Sequence, residues 1–125
     1  MDVQLFIEKL DELYENRQLD KVEPFFAESL NQAAKEEDKA AQFTVLNEMM
    51  GFFRDTSQYE KSIKACNECI NLMRNMGIEG TIDYATSLQN IANAHRAAGL
   101  LQESLKFYNQ TFEIYKENLH EDDYR

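Results

Sequence analysis

Cys66 and Cys69, in "CNEC", stand three apart, a spacing that puts both thiols on one face of a helix. They could ligate a metal or close a strained disulfide, but the chain has two cysteines in all, so a four-ligand zinc site lacks its second pair. Two readings stay open: small apolar core residues, or redox chemistry. His120 falls in the acidic tail "HEDDYR" and reads as solvated. No nucleophile, base and orienting group fall together, and no glycine loop is spaced to cradle phosphate. Neighbouring acids such as Asp11/Glu12 and Glu36/Glu37 read as solvated helix faces. No catalytic residue, metal site or cofactor is therefore assigned, and an enzyme is not expected.

The elements that carry these residues are helical. The 125 residues include one proline, four glycines and no tryptophan, which favours helix over sheet and one domain over two. A net charge of −10 opposes nucleic acid or an anionic membrane surface as partner. The start "MDVQLFIEKL" is acidic where a secretory signal is basic, and no apolar run reaches the roughly 20 residues of a membrane span. A soluble cytoplasmic protein is expected, with no disulfide framework.

Apolar residues recur at three-and-four spacing in six blocks, predicting helices over 2–16, 20–35, 38–54, 58–76, 82–98 and 102–119. Asp20 and Glu23 have capping-box spacing and Pro24 is tolerable only in a first turn, so the second helix is expected to start there. Ser57 is expected to cap the fourth helix, Gly77 and Thr81 to supply a left-handed turn and a cap, and Gly99 to end the fifth. Connections this short make neighbouring helices antiparallel hairpins.

The blocks repeat. At an offset of 42, Leu46 matches Leu88, Met49 matches Ile91, Phe53 matches His95, Ser62 matches Ser104, Cys66 matches Tyr108 and Cys69 matches Thr111. A weaker copy 40 residues upstream pairs Phe6 with Leu46, Leu10 with Met50, Val22 with Ser62 and Phe26 with Cys66. Three hairpins of about forty residues make a solenoid, each burying its apolar face by stacking on the next.

In the third repeat the large residues Leu88, Ile91, His95, Leu101 and Tyr108 and the small residues Ala92, Gly99, Ser104 and Thr111 fall in the pattern of the tetratricopeptide repeat family. The string "YATSLQNIANAHRAAGLLQESLKFYNQTFEIYKENL" resembles its 42-residue variety, found in kinesin light chains and many bacterial proteins. Met50, Cys66 and Lys9 depart from the pattern: a small residue, an aromatic and an apolar residue are usual there. The resemblance implies an all-α, right-handed superhelical α-solenoid of three helix-turn-helix hairpins, with repeats at about 2–36, 38–77 and 81–119. Cys66 and Cys69 fall on core positions of this repeat, and His95 stands where an aromatic is usual, which favours a core histidine over a catalytic one. Ala92 and Ser104, where the two helices cross, set how closely their backbones approach.

The resemblance also implies non-enzymatic binding of a protein or peptide in a concave groove lined by the first helix of each repeat. One residue round from the packed stripe of the fifth helix lie Thr86, Gln89, Asn93 and Arg96; their equivalents are Thr44, Asn47, Gly51 and Arg54, then Gln4, Ile7, Asp11 and Tyr14. Asn47, Gln89 and Asn93 could bond an extended backbone, Arg54 and Arg96 could clamp a carboxylate, and Asp11 and Tyr14 line the first repeat's share. Plain solvated polarity explains the same residues equally well. Asn90 is assigned to a contact between repeats. Two other functional classes stand beside a binding scaffold: the peptide-sensing half of a bacterial regulator, and a repeat that assembles only with itself. "HEDDYR" parallels "GTIDYA" ahead of the fifth helix, so residues 120–125 read as the start of a further repeat and the chain as a fragment of a longer protein. Leu105, Phe112 and Tyr115 would then form an exposed apolar end, and self-association through it is expected.

Overall fold

Helix punctuation sets the architecture. The computed structural model describes residues 1–118 and contains six α-helices: α1 Val3–Glu15, α2 Val22–Lys35, α3 Lys39–Asp55, α4 Tyr59–Met76, α5 Ile82–Ala97 and α6 Leu101–Asn118. The first helix of each hairpin is capped by a side chain: Asp2, Asp38 and Thr81 accept the backbone N–H of Leu5, Ala41 and Tyr84. The expected start of a fourth repeat lies outside the described residues, as does His120.

Two expected caps do not form. Leu19–Lys21 make a single 3-10 turn and α2 begins at Val22 without a side-chain cap, which still leaves Pro24 in the first turn, where its missing N–H costs nothing. Ser57 is not a cap either, because the preceding helix claims it. After α3, Ser57 N–H bonds Arg54 O and Gln58 N–H bonds Phe53 O. This closure requires a left-handed residue, and Ser57 takes that place with φ 61. The same pair of bonds ends α1, α2, α4 and α5. Gly77 and Gly99 fill the left-handed position as expected, whereas Arg17 and Glu37 occupy it at φ 56 and 55.

Consecutive helices pair as α1/α2, α3/α4 and α5/α6, and the hairpins stack through contacts of α2 with α3 and of α5 with both α3 and α4. The backbones of α5 and α6 approach most extensively and those of α1 and α2 least. Side-chain size at the crossing sets the first hairpin apart. Ser104 Oγ donates to Ala92 O at 2.9 Å inside the third hairpin, and Ser62 Oγ donates to Met50 O at 2.9 Å inside the second. The first hairpin has Val22 at that register and packs with Phe6, Leu10 and Phe26, large side chains that hold the helices apart. Two clusters make the core: one around Phe6, Phe26, Phe52 and Phe53, the other around Met50, Cys66, Met73, Leu88 and Ile91.

Candidate peptide groove

The first helices α1, α3 and α5 position the candidate residues, because in each the opposite side is held in the core. Between α1 and α3 lies an opening of about 510 Å³ lined by Tyr14, Glu48, Gly51, Phe52, Arg54 and Asp55, among others. Tyr14 stacks on Phe52, with ring centroids 6.1 Å apart. Burial, then the carboxylates of Glu48, Asp55 and Asp11, push its phenol up to about 12, so it remains a hydrogen-bond donor at neutral pH. Burial, then Asp11, raises the Glu48 carboxyl above its ordinary value. Negative charge from Glu48, Asp55 and Asp11 thus gathers around Tyr14, with the Arg54 guanidinium on the same lining. Arg54 Nε donates to Asp55 at 3.1 Å, a half-exposed pair that orients the guanidinium more than it stabilises the fold.

Gly51 lies in the body of α3, where glycine costs about 1 kcal/mol relative to alanine. An added Cβ would meet only Arg54 Nη2, at an ordinary 3.9 Å. Nothing inside the protein therefore demands the glycine, and its effect is to leave the α3 backbone bare at the floor of the opening.

The remaining candidates divide. Asn47 is engaged internally: its amide donates to Phe43 O at 2.9 Å and to Cys69 Sγ at 3.8 Å, and its oxygen accepts from Ser87 Oγ at 3.4 Å, tying α3 to α4 and α5. Asn93 accepts a hydrogen bond from the Tyr108 hydroxyl. Gln89, Arg96 and Asp11 are exposed, and so is Asn90. At the far end of the chain, Tyr115 is half-buried with its hydroxyl 2.9 Å from that of Thr86, while Leu105 and Phe112 stay 60% and 65% exposed. Glu48 and Asp55 escaped the sequence reading, because their positions on the α3 wheel border the stripe; the helix-interior Gly51 was the signal that could have found the pocket.

The two cysteines and His95 are packed in the core. Both cysteines are free and buried. Burial pushes each thiol up to about 12, with Cys69 adding to the effect on Cys66, so the reactive thiolate is scarce at neutral pH. His95 is buried, donates Nδ1–H to Ile91 O at 2.8 Å and packs on Phe107 with ring centroids 4.9 Å apart. Among the described residues no three His, Cys, Asp or Glu side chains gather as a metal site, and no helix is long and apolar enough to cross a membrane.

A model of the tetratricopeptide repeat matches residues 41–117, which is the part where the serine-to-carbonyl tie recurs. The chain belongs to the tetratricopeptide repeat family. The fold agrees with this over nearly all its length: the crystal structure of the tetratricopeptide repeat domain of Arabidopsis FLU superposes with a TM-score of 0.75 at 14% identity, covering 93% of this chain and 96% of that one. Among curated proteins, comparison by sequence gives no match. As a tetratricopeptide repeat domain the chain is a protein-interaction module, and the fold is an interaction scaffold. Within that scaffold the α1/α3 opening lies on the face of the first helices, and a second concavity of about 500 Å³ lies between α2 and α4 over Met49 and Phe53. The Lys61–Glu23 ion pair, at 2.6 Å, bridges that second concavity.

Proposed function

We propose that this tetratricopeptide repeat domain is a non-enzymatic module that takes an extended peptide or partner segment along the face of α1, α3 and α5, with a basic side chain in the opening between α1 and α3. The observation that carries this reading is Gly51: a helix-interior glycine that no internal contact requires, at the floor of an opening walled by Tyr14, Glu48, Arg54 and Asp55. Leaving backbone bare suits close approach by a ligand chain. Tyr14 offers a ring face and a donor, and Asp11, Glu48 and Asp55 offer negative charge to a lysine or arginine. Gln89 and Arg96, exposed on α5, extend the contact along the groove; Asn47 and Asn93 shape it from within rather than touch the ligand first. Two free, buried thiols accord with a reducing, cytoplasmic setting.

The test is an NMR titration of the labelled protein with a lysine-rich peptide and an acidic peptide of equal length. Shifts at the Gly51 and Arg54 amides and the Tyr14 ring with the basic peptide alone, continuing to Gln89 and Arg96, are expected. Shifts confined to α2 and α4, or equal responses to both peptides, would refute the reading.

A further inference from the structure

We infer that two copies of this chain associate tail to tail, α6 against α6 across a two-fold axis, through Leu101, Leu105 and Phe112. In the second repeat the matching face is partly covered by the next hairpin. At the 42-residue offset Leu105 and Phe112 of α6 occupy the register of Ile63 and Ile70 of α4, and those two isoleucines pack into the cluster that α5 closes with Tyr84, Leu88 and Ile91. On α6 the two equivalent side chains are bare, Leu105 60% and Phe112 65% exposed, and Leu101, the counterpart of the exposed Tyr59, adds a third at 64%. All three fall on one side of the helix, because steps of four and seven residues return to the same face. Three large apolar groups exposed in one stripe mark an interaction surface.

The two ends of the molecule differ, and the difference selects the partner. On α1, at the registers where α3 buries Phe52 and α5 buries Ala94, stands Glu12, and Lys9 takes the place of Met49 and Ile91. Stacking a head on a tail would bury these charges unpaired. The first 38 residues carry eleven acids against four bases, whereas residues 81–125 carry seven against four, and α6 itself three against two. Head-to-head contact would therefore oppose two strongly negative hairpins, while tail-to-tail contact joins the two near-neutral helices and holds the acidic hairpins at opposite ends. Antiparallel pairing sets Leu105 of one copy beside Phe112 of the other, and brings Lys106 within a turn of the partner copy's Glu113, both on the same flank of the helix. An isologous contact of this kind closes at two copies. One helix of 18 residues, about 27 Å long, makes an interface smaller than the standard class, so association in the micromolar range is expected.

Sedimentation equilibrium across roughly 1 μM to 1 mM, a range that brackets a Kd of that order, tests the inference. The parent chain should fit a monomer–dimer equilibrium. The double variant Leu105→Glu/Phe112→Glu, placed at exposed sites so that its circular dichroism melt should match the parent, should raise the dimer Kd by roughly a hundredfold or more. Leu5→Glu, at the exposed head, should leave it unchanged. A chain that is monomeric throughout the range overturns the inference and leaves the stripe to a different protein or a further helix. A dimer that survives the α6 variant, yields to Leu5→Glu, or grows into open polymers overturns it as well.

Discussion

Replacing Gly51 by alanine should make this protein more stable and a poorer binder. Gly51 is the thirteenth residue of a 17-residue helix, well inside both ends, so the intrinsic preference for alanine over glycine applies in full at about 1 kcal/mol. Steric cost is absent, since the new Cβ would touch only the far end of a flexible arginine, Arg54 Nη2 at 3.9 Å. A gain of about 1 kcal/mol should move the urea midpoint by about 0.5 M and the melting temperature by about 4 °C for a domain of this size. The methyl group projects into the opening between α1 and α3, where one extra carbon against a fitted ligand costs about tenfold or more in affinity. Urea melts of parent and variant, with a peptide titration on each, read both effects. An unchanged or lowered midpoint would mean that the glycine answers an internal constraint. A raised midpoint with unchanged affinity would remove the groove from the function.

Three other substitutions test the fold and the site. Glu37 adopts φ 55 at the end of α2, a conformation costing an ordinary residue about 1–2 kcal/mol, so Glu37→Gly should stabilise by about 0.5–1 kcal/mol after the greater freedom of the unfolded chain is subtracted; an unaltered chemical-denaturation midpoint would contradict this. Ser104→Ala removes the 2.9 Å bond to Ala92 O and should cost about 1 kcal/mol, while Ala92→Leu overpacks the same crossing and should cost about 1–3 kcal/mol; the order is checked by urea unfolding, and equal tolerance of both would deny that small residues set the helix spacing. Burial and Asp11 raise the Glu48 carboxyl in the folded chain, so the folded state holds that proton more tightly than the unfolded state, and this group's contribution to stability falls as pH climbs from the unfolded value through the folded one. Glu48→Gln should therefore exceed the parent in stability at pH 7 and lose that advantage below about pH 4; a difference independent of pH would sink the argument.

Most of this fold was legible because the repeat states each rule more than once. Ser62 and Ser104 stand 42 residues apart and make the same bond to Met50 O and Ala92 O, so hydrophobic period, small-residue spacing and helix count all pointed to one architecture. The misread positions are those where two local rules compete. Ser57 has the chemistry of a cap for α4, but it is also the residue that must turn left-handed to finish α3, and the backbone pair to Arg54 and Phe53 prevailed. Asp20 lost its cap in the same way, to a 3-10 turn.

Site residues were less legible, for a reason that a helical wheel cannot remedy. A wheel gives the direction of a side chain and not what the next helix has placed there. Asn47 and Gln89 share a register, yet α5 follows α3 and supplies Ser87 to the first, whereas nothing in the described residues follows α6 and Gln89 stays exposed. Asn93 and Thr86 point where the wheel says, but Tyr108 and Tyr115 of α6 lean across to meet them. The same asymmetry explains Lys9, which broke the apolar pattern of the first repeat. It belongs to a face of α1 that no other hairpin covers among the described residues, and Lys9 is exposed there, so a charge at this position goes unpenalised where Met49 and Ile91, at the same register of the later repeats, meet the core.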